Sequence, residues 1–180
     1  YEHLDERLTA FIARQKMYFV ATAPLSADGH VNVSPKGYDS FAVIDPLTVA
    51  YLDLGGSGIE TQAHLQENGR ITIMFCAFDG PANILRLYGT GEAVDLTSPE
   101  FPALLALFPG YDKARAVIRV RLERIQDSCG YGVPFYEFRG EREQLTRWAG
   151  HKSEEEYRDY IRTRNAESID GLPGVTLPEA

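Results

Sequence analysis

The chain is poor in cysteine, in basic residues and in long apolar runs, and each shortage closes off a class of function. Only Cys76 and Cys129 occur among 180 residues, too few for a disulfide framework or a zinc site. Reduced thiols in a cytoplasm are the expected state. The four histidines, His3, His30, His64 and His151, show neither an H-E-x-x-H motif nor i, i+4 pairing, so no metal site is expected. Lys and Arg number 18 against 26 Asp and Glu, a formal net charge of -8. That balance argues against a nucleic-acid partner, because neutralising phosphates needs a basic face. A single phosphate-bearing ligand needs only a local site and stays open. No apolar run approaches the roughly 20 residues of a membrane helix, and the charged opening from Tyr1 to Arg7 is unlike a signal peptide. A G-x-S-x-G elbow is missing too, as is a lysine after the glycine-rich stretch, so serine-triad and Walker-type chemistry have no support.

What is present suits an ordinary domain, with 44% hydrophobic and 24% charged residues. One domain over 1–180 is expected, with a barrel core at about 17–126 and a helical extension at 139–180. Leu4, Leu8, Phe11 and Ile12 recur at helical spacing. From Met17 the period shortens, predicting strands at 18–22, 30–34, 41–44 and 48–54. A helix should then run to Asn68-Gly69, a good terminator. Strands at 71–77 and 85–94 follow, and Ser98-Pro99-Glu100 reads as a helix start. Ala116, Ile118, Val120 and Leu122 line one face of a further strand, whose other face holds Arg119 and Arg121. Two polar helices close the chain, the second opened by a capping box at Ser153 and Glu156, before an extended arm from Asp170. Consecutive strands broken by single helices indicate an α+β, mostly β, antiparallel barrel with peripheral helices.

Four places can carry chemistry. Gly55-Gly56-Ser57-Gly58 joins a buried strand to a helix start, where free N–H groups and the helix dipole suit a phosphate. Ser57 and Glu60 also form a capping-box pattern, which is somewhat the better reading of the turn alone. Ser34-Pro35-Lys36 closes a strand; proline ends the pairing and leaves Lys36 at an irregular edge, where a solvated turn lysine is the plainer reading. Arg86 shares a strand face with Tyr88 and Thr90 and needs a partner, whether ligand or carboxylate. The stretch from Cys129 to Pro134, followed by Phe135, Tyr136 and Phe138, offers flat apolar surface to a ring or to a subunit interface.

Three stretches together resemble the pyridoxamine 5'-phosphate oxidase-related FMN-binding split-barrel family, over roughly 17–126. They are Val31 to Asp39, Ala50 to Arg70 with its glycine turn, and Leu85 to Ala93. The resemblance implies a six-stranded split barrel of Greek-key topology, a homodimer, and FMN at the subunit interface. It implies that Lys36, Asp53 and Ser57 contact the flavin or its phosphate, that Ser34 and Pro35 lie along the ring, and that Arg86 sits near the same cleft. Where true pyridoxamine phosphate oxidases have basic residues after the serine, this chain has Gly58 and Ile59. The phosphate grip then falls to backbone N–H groups, Ser57, Gly58, Thr61 and Lys36. The implied function is FMN-dependent electron or hydride transfer to a small molecule other than pyridoxamine phosphate, with no catalytic side chain evident. A flavin or haem binder or sensor on the same barrel, and a deazaflavin-dependent reductase, are the alternatives.

Overall fold

Strict alternation makes Tyr18–Thr22 a strand with one buried and one half-exposed face, and the rest of the fold is assembled around that buried face. The computed structural model describes residues 1–111, 113–175 and 177. Its elements run α1 (Glu6–Arg14), β1 (Tyr18–Thr22), β2 (Asn32–Lys36), β3 (Phe41–Asp45), β4 (Thr48–Asp53), α2 (Glu60–Asn68), β5 (Arg70–Cys76) and β6 (Ile84–Asp95). They continue as α3 (Phe101–Leu105), β7 (Ala116–Ser128), α4 (Gln144–Gly150) and α5 (Glu154–Arg164). Among the described residues, no helix is long and apolar enough to cross a membrane.

All strand pairs are antiparallel, in one sheet ordered β2-β1-β5-β6-β7-β4-β3. The mostly-β, α+β class is as expected, but the strand count is corrected: seven strands form one open sheet, where six were expected. The sheet still rolls. Tyr18 on β1 stacks edge-on against Phe41 of β3 at 5.2 Å and Tyr51 of β4 at 5.9 Å, although those strands lie far apart in the order. Its hydroxyl bonds Ser40 Oγ at 2.9 Å. Aromatic and polar side chains thus bridge the gap between the two edges where no ladder does.

Pro35 does not end β2, contrary to expectation; the strand pairs with β1 through Lys36. As an edge strand β2 has a neighbour on one side only, and a proline whose missing N–H faces outward costs no ladder bond. The expected proline start of the third helix is also displaced: α3 begins at Phe101, with Pro102 in its first turn and Ser98 Oγ accepting from Glu100 N before it.

The main core lies inside the roll, with Leu8, Val20, Ile73, Leu87 and Ile118 fully buried. A second cluster, around Leu52, Phe108 and Val117, packs α3 on the outer side of β4 and β7. The third joins Ile59 to Tyr157, Ile161, Val175 and Leu177. The tail is therefore no extended arm: Gly174 N and Val175 N bond the carbonyls of Ala166 and Asn165 and fold it back onto α5. Apolar residues at 175 and 177 explain the docking. The capping box at Ser153 and Glu156 forms as expected, and Gly69 ends α2 at φ 71.

β6 and β7 shift register at Tyr88 and Gly89, where an added Cβ would strike the Arg121 carbonyl. A bulge with such close backbone approach admits only glycine. Gly89→Ala is expected to cost about 1–3 kcal/mol, read as a lower urea midpoint; an unchanged midpoint would show that the bulge has room to relax.

Candidate functional site

Because cross-strand partners share a sheet face, Asn32, Ser34 and Lys36 point inward opposite Thr22, Val20 and Tyr18. The end of β4 and the start of α2 meet this polar row. Asn32 Nδ2 donates to Thr61 Oγ1 at 3.0 Å, and Ser34 Oγ to Asn32 Oδ1 at 3.3 Å. Two residues further along β2, Lys36 Nζ reaches Asp53 Oδ1 at 3.5 Å.

Asp53 is 2% exposed and accepts from four donor atoms on β2, α2 and the loop before β7. Arg115 gives it Nε at 3.0 Å and Nη2 at 3.2 Å, and Gln62 gives Nε2 at 3.0 Å. Burial alone would raise the Asp53 carboxyl. The charges of Arg115 and Lys36, with the hydrogen bonds from Arg115 and Gln62, outweigh it and hold the group well below the carboxylate range. The Lys36 side chain is only 22% exposed, so it is no solvated turn lysine.

The glycine turn is held from behind. Gly56 O accepts from Asn165 Nδ2 at 2.9 Å and from Arg115 Nη1 at 3.4 Å. The capping box expected at Ser57 and Glu60 does not form: α2 starts after Ile59, with no side chain capping it. Glu60 is turned to the C-terminal segment instead, accepting from Ile169 N at 3.3 Å. Ser57 and Gly58 line an open cleft of about 470 Å³ with His30, Asn32 and Ile169. His30 is fixed at its rim by Asp170, with Nδ1 to Oδ1 at 2.6 Å.

The structure thus brings Ser34 and Thr61 together through Asn32, with Ser57 and Gly58 lining the cleft beside them, and pairs Lys36 with Asp53 two residues further along β2. Pro35 and Arg86 stand apart from these residues. Both lie on the outer face, in the lateral row Pro35, Phe19, Met74, Arg86, three strand spacings or about 14 Å from end to end. Arg86 donates to Ser128 Oγ at 3.1 Å, the structural partner its strand position called for. Arg115, Gln62 and Asn165 escaped the sequence reading. Arg115 precedes a strand, and only the pairing of Asp53 with Ala116 reveals that it adjoins a buried carboxylate.

His64 lies fully buried on α2, its Nδ1 3.0 Å from Thr22 Oγ1 and its Nε2 without a partner among the described residues. Burial pushes its pKa down, outweighing the nearby carboxylates of Asp170, Glu60 and Glu67. The described residues contain no cluster of three metal-ligating side chains.

A rolled antiparallel sheet left open between its edges, with a polar edge strand facing a glycine turn, is a split-barrel architecture. The chain belongs to the pyridoxamine 5'-phosphate oxidase family, whose model matches residues 4–129. The pyridoxamine 5'-phosphate oxidase family protein ustO of Aspergillus flavus is 38% identical over 199 residues, covering 97% of this chain and 77% of that one. Among solved structures, HupZ of Group A Streptococcus superposes with a TM-score of 0.57 at 24% identity, over 70% of this chain and 94% of that one. A Clostridium acetobutylicum protein related to general stress protein 26 of B. subtilis gives 0.52 at 16%, over 70% and 91%. At those identities the two structures attest the fold alone.

Two predictions concern the buried groups. Asp53→Asn leaves Arg115 without a counter-charge, and a loss of about 3–5 kcal/mol is expected, read by urea unfolding at pH 7. In the unchanged protein, the Asp53 contribution is complete above the ordinary carboxylate range near 4 and is lost only as pH falls below it. For His64 the unfolded chain binds the proton more readily, so stability should fall as pH drops below about 6.5. Thermal midpoints between pH 5 and 7.5 should show that slope, and His64→Asn should flatten it; an equal slope in both proteins assigns it elsewhere.

Proposed function

We propose that this chain binds FMN along the inner face of β2 and uses it to move electrons or hydride to a small molecule other than pyridoxamine phosphate. The observation that carries the reading is the array of Asn32, Ser34, Lys36 and Thr61 beside an uncapped helix start. The free N–H groups in the first turn of α2, with Ser57 and Gly58, suit the phosphate end. Gly56 has open space where a side chain would stand, and at Gly58 the flexible Glu60 side chain, which also lines the cleft, would have to turn aside for an anion to approach. Family membership supports the choice of flavin. FMN when bound supplies the redox chemistry; this chain's residues hold and orient it and tune its surroundings. Lys36 would place a cation beside the electron-accepting ring, and Asp53, itself held by Arg115 and Gln62, would fix that cation directly.

The same reading calls for a homodimer. Val31 and Val33, 70% and 61% exposed, stand with Pro35 on the outer side of an edge strand. A second copy would cover this apolar strip and enclose a ring that one barrel leaves half open.

Flavin-fluorescence titration tests the site, with light scattering on the same samples. FMN should be quenched on binding, and Ser57→Ala and Lys36→Ala should each weaken its affinity about tenfold, one lost charge-assisted contact apiece. The scattering mass should be twice 20.1 kDa. Undiminished affinity in both variants removes the two residues from the site, and a 20.1 kDa monomer ends the interface reading.

A further inference from the structure

At the other end of β2 from the glycine turn lies a second cavity, of about 370 Å³. That is room for a molecule of one or two rings, at the low end of small-molecule sites. Lys16, Lys36, Tyr38, Phe78, Tyr136 and Phe138 are among the residues that line it. The last two lie beyond residues 4–129, the part of the chain the family model matches.

Three independent features mark it as a built site. The first is the aromatic lining. Tyr136 and Phe138 are exposed large rings, yet they are held in place. Tyr136 N donates to Phe78 O at 3.0 Å, the rings of Phe78 and Tyr136 pack at 5.4 Å, and the Lys16 ammonium sits 5.9 Å from the Phe138 centroid. The second is backbone strain. Tyr38 and Asp39 hold φ of 68 and 49, a left-handed conformation costly for a bulky side chain. Tyr38 OH donates to Arg142 O at 2.6 Å, Tyr111 OH to Tyr38 O, and Ser40 Oγ to Gly37 O, so the neighbours over-determine this turn beside the cavity.

The third is charge. Asp79, Glu137 and Glu141 line the cavity and are equal in number to Arg14, Lys16 and Arg142. Lys36 remains. It also lies 5.8 Å from the Tyr51 ring centroid, but its carboxylate partner, Asp53, is already neutralised by the two-pronged Arg115, so two cations share one buried carboxylate. Lys36 is also one of the residues lining the cavity, so the net positive charge of this group lies at its edge.

We propose that this cavity binds flat aromatic acids, with the ring against Tyr38, Tyr136 and Phe138 and the carboxylate on Lys36. Such acids are also the substrate class of the neighbouring flavin site; that second statement, unlike the first, rests on the FMN reading.

Calorimetric titration of cofactor-free protein with 2-naphthoate, 2-naphthamide and 2-naphthylmethylammonium tests the site by charge at constant shape. Naphthoate should bind at least tenfold more tightly than the other two. Tyr136→Ala and Phe138→Ala should each weaken naphthoate about tenfold, and Lys36→Met should abolish the preference for the acid while leaving the amide's affinity unchanged. Equal affinity for the three probes, or naphthoate binding indifferent to Tyr136 and Phe138, overturns the proposal. Repeating the titration with FMN-saturated protein should perturb the visible flavin bands; naphthoate binding without that perturbation overturns the substrate assignment alone. Selective naphthoate binding by a protein that takes up no FMN would sink the flavin reading and leave the aromatic-acid site standing.

Discussion

A carboxylate held ionised at 2% exposure organises this molecule. Asp53 ends β4, Lys36 closes β2, Gln62 lies in the first turn of α2, and Arg115 leads into β7. Losing one partner of a buried charge costs several kcal/mol, so each of these elements is constrained by the others. The network has a topological role as well. β2 is one edge of the open sheet and β4 adjoins the other, and no ladder joins them. The bond from Lys36 to Asp53, with the contacts of Tyr18 to Ser40 and Phe41, closes the roll by side chains.

The same network sets the character of the site at both ends of β2. Arg115 bonds Asp53 and the carbonyl of Gly56, so the glycine turn and the buried carboxylate share one guanidinium. Asn165, at the end of α5, holds that carbonyl from the other side. The C-terminal helix α5, outside the residues 4–129 that the family model matches, therefore helps shape the cleft at Ser57 and Gly58. The C-terminal helices lie next in the chain to the aromatic segment that lines the cavity at Lys36. A guanidinium that satisfies Asp53 also leaves the Lys36 ammonium with charge to spare.

Local signals that needed no distant partner were legible in the chain. The alternation in Tyr18–Thr22, the Asn68-Gly69 terminator and the Ser153 capping box all form, since each depends on residues within a turn or a strand of one another. The equally good capping pattern at Ser57 and Glu60 fails because Ile169, more than a hundred residues away, takes the glutamate. Pro35 looked like a strand end because sequence does not say which strand is an edge. Arg86, Ser34 and Lys36 all read as polar groups on strands; the register puts the first on the outer face and the other two inside.

By itself, then, the sequence determined the class of fold, the order of strands and helices, the family stretches and the residue types available at β2 and the glycine turn. These follow from periodicity and short-range hydrogen bonding, which are written into neighbouring residues. The tertiary structure alone decided that seven strands stay open, that Arg115, Gln62 and Asn165 serve the site, and that Lys36 faces a buried carboxylate on one side and an aromatic cavity on the other. Those outcomes depend on strand order and on where charges lose their water, and both are settled only when segments distant in the chain come to share one interior.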